Sequence, residues 1–172
     1  MKPYLLVAYN RIRFGLRRLF RCHSFDFATV ELLGRDTRLS FSKTSQVRFG
    51  GHLVSDGRLV SITGQNAHLT IGERTYFNEG TMLRCLDEVS IGAGCRFGPN
   101  VKVFDNDHKF SARGGVSQEH TTSPVTIGDH CWLGANVTVL RGTEIGDNCV
   151  IGAGCVVKGV IPAGSLVTPS RT

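Results

Sequence analysis

The chain has 172 residues, of which 20 are Lys or Arg and 14 are Asp or Glu, for a formal net charge of +6. This length limits the chain to one domain of ordinary size, and a hydrophobic fraction of 41% excludes a disordered polypeptide. Six basic residues and no acid lie in residues 1–21, which leaves 14 charges of each sign in the remainder. A neutral body excludes a general nucleic-acid-binding surface.

Residues 1–24 form the first predicted element, a basic amphipathic helix. Apolar side chains recur there at alternating spacings of four and three, the period of one helix face: Leu5, Tyr9, Ile12, Leu16 and Leu19. Arginines occupy much of the other face, and the apolar run YLLVAY is too short to cross a bilayer. Two alternatives follow. The apolar face docks on the same domain or a neighbouring subunit, or it lies on an anionic membrane surface.

Residues 25–70 contain short strand patterns separated by Gly, Asp and Ser turn residues. The segments FDFATVELL, RLSFS, QVRF, RLVSIT and AHLTIG follow one another there, but their spacing sets no register. We expect them to cap the regular body that follows and to be covered by the N-terminal helix, because an open end would expose core. Residues 25–172 are therefore predicted to form a single domain.

From residue 71 the sequence repeats every six residues. The first position is large and apolar in all twelve hexads: Ile71, Phe77, Leu83, Ile91, Phe97, Val103, Ile127, Leu133, Val139, Ile145, Ile151 and Val157. The second position is glycine in seven hexads, and the fifth is small or β-branched in nine. A fixed period of this kind is the signature of a repeat architecture.

A period of six fits neither an α-helix nor an indefinitely continued strand, but it fits a short strand followed by a corner. Gly or Asn occupies the fourth position in eight of the twelve hexads, and both tolerate the left-handed backbone of a corner. Three hexads then close a triangular coil, and stacked coils make a prism of three parallel sheets around one core. The repeat predicts an all-β parallel β-helix with regular coils over residues 71–162.

Two insertions interrupt the hexads, of two residues before Ile91 and of eighteen before Ile127. Each follows the third hexad of a coil, so both fall at the same corner of the prism and the core continues beneath them. The longer insertion is predicted to be an excursion loop over residues 105–124. Long loops in compact domains are more often functional than accidental, and His108 stands at the root of this one.

Four cysteines occupy the fifth, inward position of their hexads: Cys95, Cys131, Cys149 and Cys155. Thr and Val replace them in other hexads, so they are interpreted as small core residues of a protein in a reducing compartment. No Cys or His spacing fits structural zinc, and DNDHK lacks the glycine and the terminal Glu of a calcium loop. No metal is expected. His120 lies further along the excursion, and His130 occupies a corner position.

These motifs resemble the hexapeptide-repeat acyltransferases, which form a left-handed parallel β-helix. The likeness is strongest to O-acetyltransferases of the maltose and galactoside type and to those that modify capsular or exopolysaccharides. The stretch VTIGDHCWLGANVTVLRGTEIGDNCVIGAGCVV, residues 125–157, is similar to the most recognisable part of that family, and NDHKF resembles its active-site loop. The resemblance covers residues 67–167, and the left hand of the winding is implied by it alone.

The resemblance implies a homotrimer with catalysis in clefts between subunits and with acetyl-CoA as the acyl donor. His108 matches the catalytic histidine, whose expected role is general base toward the acceptor hydroxyl. Asp105 or Asp107 is expected to orient the imidazole and contact substrate, although a backbone carbonyl can orient the ring equally well. Asn78 matches an asparagine that positions the acceptor, with corner stabilisation as the alternative. Trp132 matches a tryptophan beside the cleft, with subunit packing as the alternative.

The resemblance also implies that coenzyme A lies along the prism against the later coils, at Gly134, Ala135, Ala153, Gly154 and Lys158. The chain departs from the family's pattern twice: Lys and Gly replace the usual Thr-Lys after the last VV, and TPSRT replaces the familiar terminal motif. Lys158 and Arg171 are therefore the candidate cationic contacts to the phosphates of the cofactor.

The resemblance favours an acetyl-CoA-dependent O-acetyltransferase that modifies a saccharide hydroxyl. N-acetylation of an amino sugar or a drug, and a non-catalytic trimeric scaffold, are the open alternatives. A metalloenzyme of the β-helix carbonic anhydrase kind is disfavoured, because His108 and His120 share one loop and no third histidine has suitable coil spacing. We expect a cytoplasmic protein with no nucleic-acid partner and with peripheral contact to the inner membrane surface through residues 1–21.

Overall fold

The structure is a computed structural model that describes residues 2–20, 24–28 and 31–169. Within them helix α1 spans Pro3–Phe20 and is followed by strands β1 (Phe25–Phe27), β2 (Arg38–Phe41), β3 (Gln46–Phe49), β4 (Val54–Ser55), β5 (Val60–Thr63), β6 (His68–Ile71), β7 (Tyr76–Phe77), β8 (Met82–Cys85), β9 (Glu88–Ile91), β10 (Arg96–Phe97), β11 (Lys102–Phe104), β12 (Asn106–Ser111), β13 (Gly115–Thr122), β14 (Val125–Ile127), β15 (Trp132–Leu133), β16 (Thr138–Val139), β17 (Glu144–Ile145), β18 (Val150–Ile151), β19 (Val156–Val157), β20 (Val160–Ile161) and β21 (Leu166–Val167).

Three parallel sheets form the faces of the prism. Sheet A has the order β1-β3-β6-β9-β14-β17-β20, sheet B the order β21-β18-β15-β10-β7-β4, and sheet C the order β19-β16-β11-β8-β5-β2. The chain passes from A to B to C and back to A, and we call the corners between them edge AB, edge BC and edge CA. The predicted all-β parallel β-helix with an N-terminal helix is confirmed.

The core lies inside the prism and consists of the side chains predicted from the repeat. All twelve first-position residues are at most 5% exposed. All nine of the small or β-branched fifth-position residues are also buried. Each strand therefore alternates between an inward and an outward side chain, and burial of the inward row is the main stabilising term of the fold.

Left-handed backbone conformations occur at the predicted corners. Seven of the eight corner Gly and Asn residues have positive φ angles, between 58° and 79°. Arg74 and His130 adopt the same conformation at fourth positions, with φ of 57° and 56°. Asn106 is the exception, because it begins β12 and its Nδ2 donates to Asp105 Oδ1 at 2.7 Å. The excursion starts at this residue, so the corner predicted there does not form.

Residues 31–70 belong to the same prism, with a register that the sequence did not reveal. Phe27, Phe49 and Ile71 pair in sheet A at intervals of 22 residues. Ser55 pairs with Phe77 in sheet B at the same interval. Because these coils are 22 residues long, the six-residue period does not continue from one coil to the next.

Differences in coil length are confined to edge CA. Aligned inward residues are always six apart across edges AB and BC, as from Ile71 to Phe77 and from Phe77 to Leu83. Across edge CA the separation is ten, eight, twenty-four, six and four residues in successive coils, between the pairs Ser61 and Ile71, Leu83 and Ile91, Val103 and Ile127, Val139 and Ile145, and Val157 and Ile161. The two predicted insertions are two cases of this variation.

Helix α1 packs against the N-terminal end of the prism with a face that the sequence analysis did not identify. Phe14 is fully buried, and its ring lies 5.4–6.3 Å from those of Phe25, Phe27 and Phe49. The predicted apolar stripe, by contrast, is 37–66% exposed. The helix thus docks on its own domain, one of the two predicted alternatives, but not through that stripe. Phe14 packs instead into an aromatic cluster at the end of the prism. The spacing of apolar residues in the helix does not reveal this contact, because the partner rings come from distant parts of the sequence.

A buried polar contact also holds α1. Asn10 Nδ2 donates to the carbonyl oxygens of Glu31 and Leu33 at 3.0 and 2.9 Å. The Glu31 carboxylate is 2% exposed and accepts a hydrogen bond from the backbone N–H of Leu53 at 2.9 Å. Burial raises the pKa of Glu31 to about 8, and the Leu53 hydrogen bond opposes this increase. The neutral carboxyl group is thus the form favoured beside the helix at pH 7.

Thr and Cys side chains stack along the inside of edge AB. The hydroxyl of Thr75 donates to Gly92 O at 3.0 Å, and the thiols of Cys95, Cys131 and Cys149 each donate at 3.1 Å to a carbonyl of the next coil. All five cysteines that the structure describes are free. Their interpretation as small core residues is consistent with this packing, and the shared donor function explains why Thr occupies the same position.

Candidate active site

The excursion is a β-hairpin and not the irregular loop that the sequence suggested. Strands β12 and β13 pair antiparallel, with His108 opposite His120 and Phe110 opposite Val116. An insertion of this length carries many backbone donors and acceptors, and pairing them with each other satisfies them outside the prism. Below the hairpin, Val125 pairs with Val89, so the core does continue beneath it as predicted.

Asp105 anchors the base of the hairpin. Its side chain is fully buried and accepts hydrogen bonds from the backbone N–H groups of Leu86 at 2.9 Å and Asp87 at 2.7 Å. Its own carbonyl accepts from Ser123 N at 2.9 Å, which closes the two ends of the excursion. These contacts engage the carboxylate at the corner of the prism, so its position supports a structural role.

His108 projects from β12 and is held by a backbone carbonyl. Its Nδ1 lies 3.2 Å from Ser117 O, and the His120 ring lies against its own with centroids 4.3 Å apart. A carbonyl oxygen only accepts, so this contact requires the proton on Nδ1 and leaves the lone pair on Nε2. Of the three orienting groups considered from the sequence, Asp105, Asp107 and a backbone carbonyl, the carbonyl is the one that contacts the ring. An exposed imidazole in this tautomer can take a proton from a hydroxyl.

Asp107 contacts the next coil. Its Oδ2 lies 2.6 Å from Nε of Arg141, which occupies edge CA below the hairpin. Both ends of this ion pair are partly exposed, at 50% and 28% of the respective side chains. The pair ties β12 to the rigid prism one residue before His108. Arg141 was not predicted, since its distance in sequence from Asp107 hides a contact made only by coil stacking.

Most of the other predicted site residues lie on edge BC. Asn78 follows β7 there, and its Oδ1 accepts from Glu79 N at 2.8 Å. Two later turns of the same edge carry the predicted cofactor-binding residues Gly134, Ala135, Ala153 and Gly154. These turns stack directly, as Gly154 N donates to Ala135 O at 2.8 Å. Asn78 thus stabilises its own corner while lying on the same edge as the cofactor candidates.

Small side chains leave the turn of edge BC at Ala153 and Gly154 open, whereas Gly134 in the preceding turn is buried against Ala153. A Cβ atom added to Gly154 would meet no heavy atom within 4 Å. Trp132 on sheet B and Val156 on sheet C flank this edge and are 56% and 66% exposed. The result is an accessible backbone ridge between two apolar side chains, which fits an extended chain that carries both amide and apolar groups.

Lys158 lies on edge CA, two coils below His108, and not beside the glycines of edge BC. Arg171, the other candidate cation, is outside the described residues. Within one chain, His108 and Lys158 therefore occupy one edge, whereas Asn78 and Gly154 occupy another. Sheet C separates the two sets.

Comparisons with known proteins agree with this architecture. The family described as hexapeptide repeat of succinyl-transferase matches residues 124–158. The chain is 35% identical over 99 residues to the galactoside O-acetyltransferase of Escherichia coli. The aligned stretch covers 58% of this chain and 48% of that protein. It is 28% identical over 154 residues to a putative lipopolysaccharide biosynthesis O-acetyl transferase of Escherichia coli, covering 76% of this chain and 78% of the relative. The chain spans 39–51% of the length of four curated relatives, one of which is this galactoside enzyme.

Solved structures share the fold. A hexapeptide-repeat acetyltransferase of Vibrio cholerae, crystallised with acetyl coenzyme A, has a TM-score of 0.62 at 21% identity and covers 91% of this chain and 71% of its own. A maltose O-acetyltransferase of Clostridium difficile has a TM-score of 0.55 at 25% identity and covers 94% of this chain and 82% of its own. The class that fold and repeat define is the parallel β-helix of hexapeptide-repeat proteins. Within that class, the predicted resemblance to the hexapeptide-repeat acyltransferases is confirmed.

The residues that the structure describes contain neither a helix that can cross a membrane nor a cluster of side chains for a metal ion. No helix in this part of the chain is long and apolar enough to cross a bilayer. No group of three or more His, Cys, Asp or Glu side chains that can hold a metal ion occurs in the same part.

Proposed function

We propose that this protein is an acetyltransferase that moves the acetyl group of acetyl-CoA to a hydroxyl of a saccharide, either a polysaccharide or its precursor. The observation that carries the proposal is the contact of 3.2 Å between His108 Nδ1 and Ser117 O, because a proton on Nδ1 leaves Nε2 free to accept one. The names of the relatives support the class of reaction, and two of them refer to galactoside and lipopolysaccharide chemistry.

The proposed reaction is a direct transfer. Nε2 of His108 takes the proton of the acceptor hydroxyl while its oxygen attacks the carbonyl carbon of the thioester. The tetrahedral intermediate collapses with cleavage of the carbon–sulfur bond. The thiolate of coenzyme A leaves and takes the proton from the imidazolium, which restores neutral His108. The products are an acetyl ester and free coenzyme A.

Acetyl-CoA is the proposed donor, and the open ridge on edge BC is its proposed binding surface. Backbone groups at Ala135, Ala153 and Gly154 are accessible to the amides of the pantetheine arm, whereas Gly134 is buried and supports the turn from beneath. Trp132 provides an apolar wall. Lys158 is the proposed partner of a phosphate. Because Lys158 lies on the other edge, one chain cannot supply both parts of this surface.

A homotrimer resolves this separation. We propose that edge CA of one subunit faces edge BC of the next, so that His108 approaches Asn78 of the partner subunit. The outward side chains of sheet C support this arrangement, because five of them are apolar and half-buried: Val60, Ile62, Met82, Phe104 and Leu140. Arg38, Arg84 and Lys102 are the basic residues of the same face. Sheet A presents mainly polar side chains outward instead, among them Arg48, Thr70 and Glu88. An apolar face between two halves of a site is expected to lie against other copies.

The trimer is tested by a charge on sheet C. Ile62→Glu is expected to shift the mass measured by light scattering from three chains toward one and to abolish turnover. Thr70→Glu introduces the same charge on the polar face of sheet A and is expected to remain trimeric. A trimeric and active Ile62→Glu protein would remove sheet C from the interface.

The activity is tested by release of free thiol from acetyl-CoA with a panel of saccharides and amino sugars. His108→Ala is expected to lower acceptor-dependent turnover by about 10²- to 10⁴-fold, the usual contribution of a general base. His130→Asn is the matched control, since Asn tolerates the left-handed corner that His130 occupies and turnover should persist. Equal turnover of wild type and His108→Ala would remove the assignment. Transfer only to amines would replace O-acetylation with N-acetylation.

The proposed compartment is the cytoplasm, at the inner membrane surface. The free cysteines of the core support a reducing environment. The basic residues of the N-terminal helix support peripheral contact with a membrane.

A further inference from the structure

Helix α1 exposes a continuous apolar surface, here called the outward stripe. It comprises six large side chains that are 37–66% exposed: Tyr4, Leu5, Tyr9, Ile12, Leu16 and Leu19. They recur along four turns of one helix face, and exposed apolar surface of this extent on a soluble domain marks an interaction site. The stripe includes every residue of the apolar face that the sequence predicted.

The stripe cannot turn inward, because the opposite face of α1 is already fixed. Phe14 fills the aromatic cluster at the end of the prism, and Asn10 donates two hydrogen bonds to the backbone there. Arg13 also faces the domain and donates to Thr37 O. The helix is therefore anchored by one face and presents the other outward.

Positive charge surrounds the stripe. Arg11 and Arg18 are exposed and lie on the same side of it, one heptad apart. The guanidinium of Arg35, from the first coil, lies 5.8 Å from the centre of the Tyr9 ring. Residues 1–21 contain no acid. An apolar face with a basic border complements an anionic surface that also offers apolar depth.

We infer that the outward stripe docks on the surface of an anionic phospholipid bilayer, with α1 in the plane of the headgroups. Leu5, Ile12 and Leu16 enter the boundary of the acyl chains, while Arg11 and Arg18 meet lipid phosphates. Tyr4 and Tyr9 suit this depth, because tyrosine favours the membrane interface. A second copy of the helix is the poorer partner, since pairing two such faces opposes arginine with arginine. The inference deepens the proposed contact with the membrane. It rests on α1 alone and is independent of the proposed acetyl transfer, so each can fail without the other.

Vesicle sedimentation with the full chain tests this inference. We expect binding to phosphatidylcholine vesicles that contain 30 mol% phosphatidylglycerol, and at least tenfold weaker binding to phosphatidylcholine alone. The double variant Ile12→Glu, Leu16→Glu should lose binding to both. Val160→Glu, Leu166→Glu changes two side chains that are 74% and 70% exposed on the prism and should bind as wild type does.

The arginines are tested separately. Each basic residue near an anionic surface contributes about 1 kcal/mol, so Arg11→Gln, Arg18→Gln should lower the partition coefficient by about 30-fold. Added salt should reduce the wild-type coefficient in the same direction.

A spectroscopic measurement reports the depth of the helix directly. Leu16→Trp should shift its emission to the blue on anionic vesicles, and Val160→Trp should not, against the constant background of Trp132. Equal binding of wild type to both vesicle types, or full binding by the Ile12→Glu, Leu16→Glu variant, would overturn the inference. The inference would also be overturned if wild type bound no vesicles and the Ile12→Glu, Leu16→Glu variant formed smaller assemblies than wild type. That result would assign the stripe to contacts between copies of the chain.

Discussion

His108 and His120 face each other on the two strands of the hairpin, with ring centroids 4.3 Å apart and an angle of 37° between the planes. His108 is exposed and His120 is half-buried, so the second ring supports one face of the first. Together with Ser117 O, it limits rotation of the proposed catalytic imidazole about its side-chain bonds. Positioning of this kind preserves the geometry that a proton transfer requires.

His120→Phe is expected to retain most turnover, because a phenyl ring can stack on His108 in the same place. His120→Ala removes the support and should lower kcat by about tenfold, well below the effect of His108→Ala. Steady-state kinetics of the three variants measure this order. A fall in kcat of equal size in the Phe and Ala variants would instead give the His120 nitrogen atoms a direct role.

Arg141→Gln is expected to lower turnover with little loss of stability. The ion pair with Asp107 is partly exposed, and such pairs add about 0.2–1 kcal/mol to the free energy of unfolding. Its loss releases β12 beside His108, so amide exchange in the hairpin should accelerate and kcat should fall by about tenfold. Arg113→Gln, at the exposed tip of the hairpin, is the matched control and should leave both unchanged. Unchanged exchange in Arg141→Gln would contradict the anchoring role.

Cys131→Thr is expected to be tolerated better than Cys131→Val. A threonine hydroxyl can donate to Gly146 O as the thiol does at 3.1 Å, whereas valine leaves this acceptor without its side-chain donor. The difference should be about 1 kcal/mol in the free energy of unfolding, measured by urea denaturation. Equal stability of the two variants would show that the position requires volume and not a donor.

Glu31 is expected to make stability fall as pH rises. Burial raises its pKa from 4.5 to about 8, so between these values the native state binds a proton that the unfolded chain releases. The free energy of unfolding should therefore decrease through this interval by up to about 1.4 kcal/mol per pH unit and level off above it.

Glu31→Gln should remove this slope and raise stability at pH 8, because a neutral amide can still accept from Leu53 N. Thermal unfolding of both proteins between pH 5 and 9 measures the effect. Parallel curves for wild type and variant would exclude Glu31 as the source.

The hexads predicted the fold well because each coil repeats one physical requirement. An inward apolar residue, a small inward residue and a left-handed corner recur at fixed spacing, and Ile71 and Cys95 are buried as this pattern demands. The register of the coils before Ile71 was not predicted. Ser61 and Ile71 are ten residues apart, so the period of six is broken there. Register there depends on pairing between coils, which a single sequence does not display.

The contacts around His108 were predicted only in part. His108 stood out because it begins an interruption of the repeat. Its actual contacts, with Ser117 and His120, depend on antiparallel pairing within the excursion, and the Asp107–Arg141 pair depends on coil stacking. The same limit applies to the helix. The spacing of five apolar residues marked one face, but the buried face is the one that carries Phe14.

Edge CA has a consequence for how this fold can change. At the other two edges the inward residues are always six apart. One residue added there would turn the inward side chains of the following strands in that coil outward. At edge CA the chain leaves the prism and rejoins it, so a segment of nearly any length can be spliced in while the core stays the same. The hairpin that carries His108 is thus a cassette. A different segment can replace it without redesign of the body that supports it.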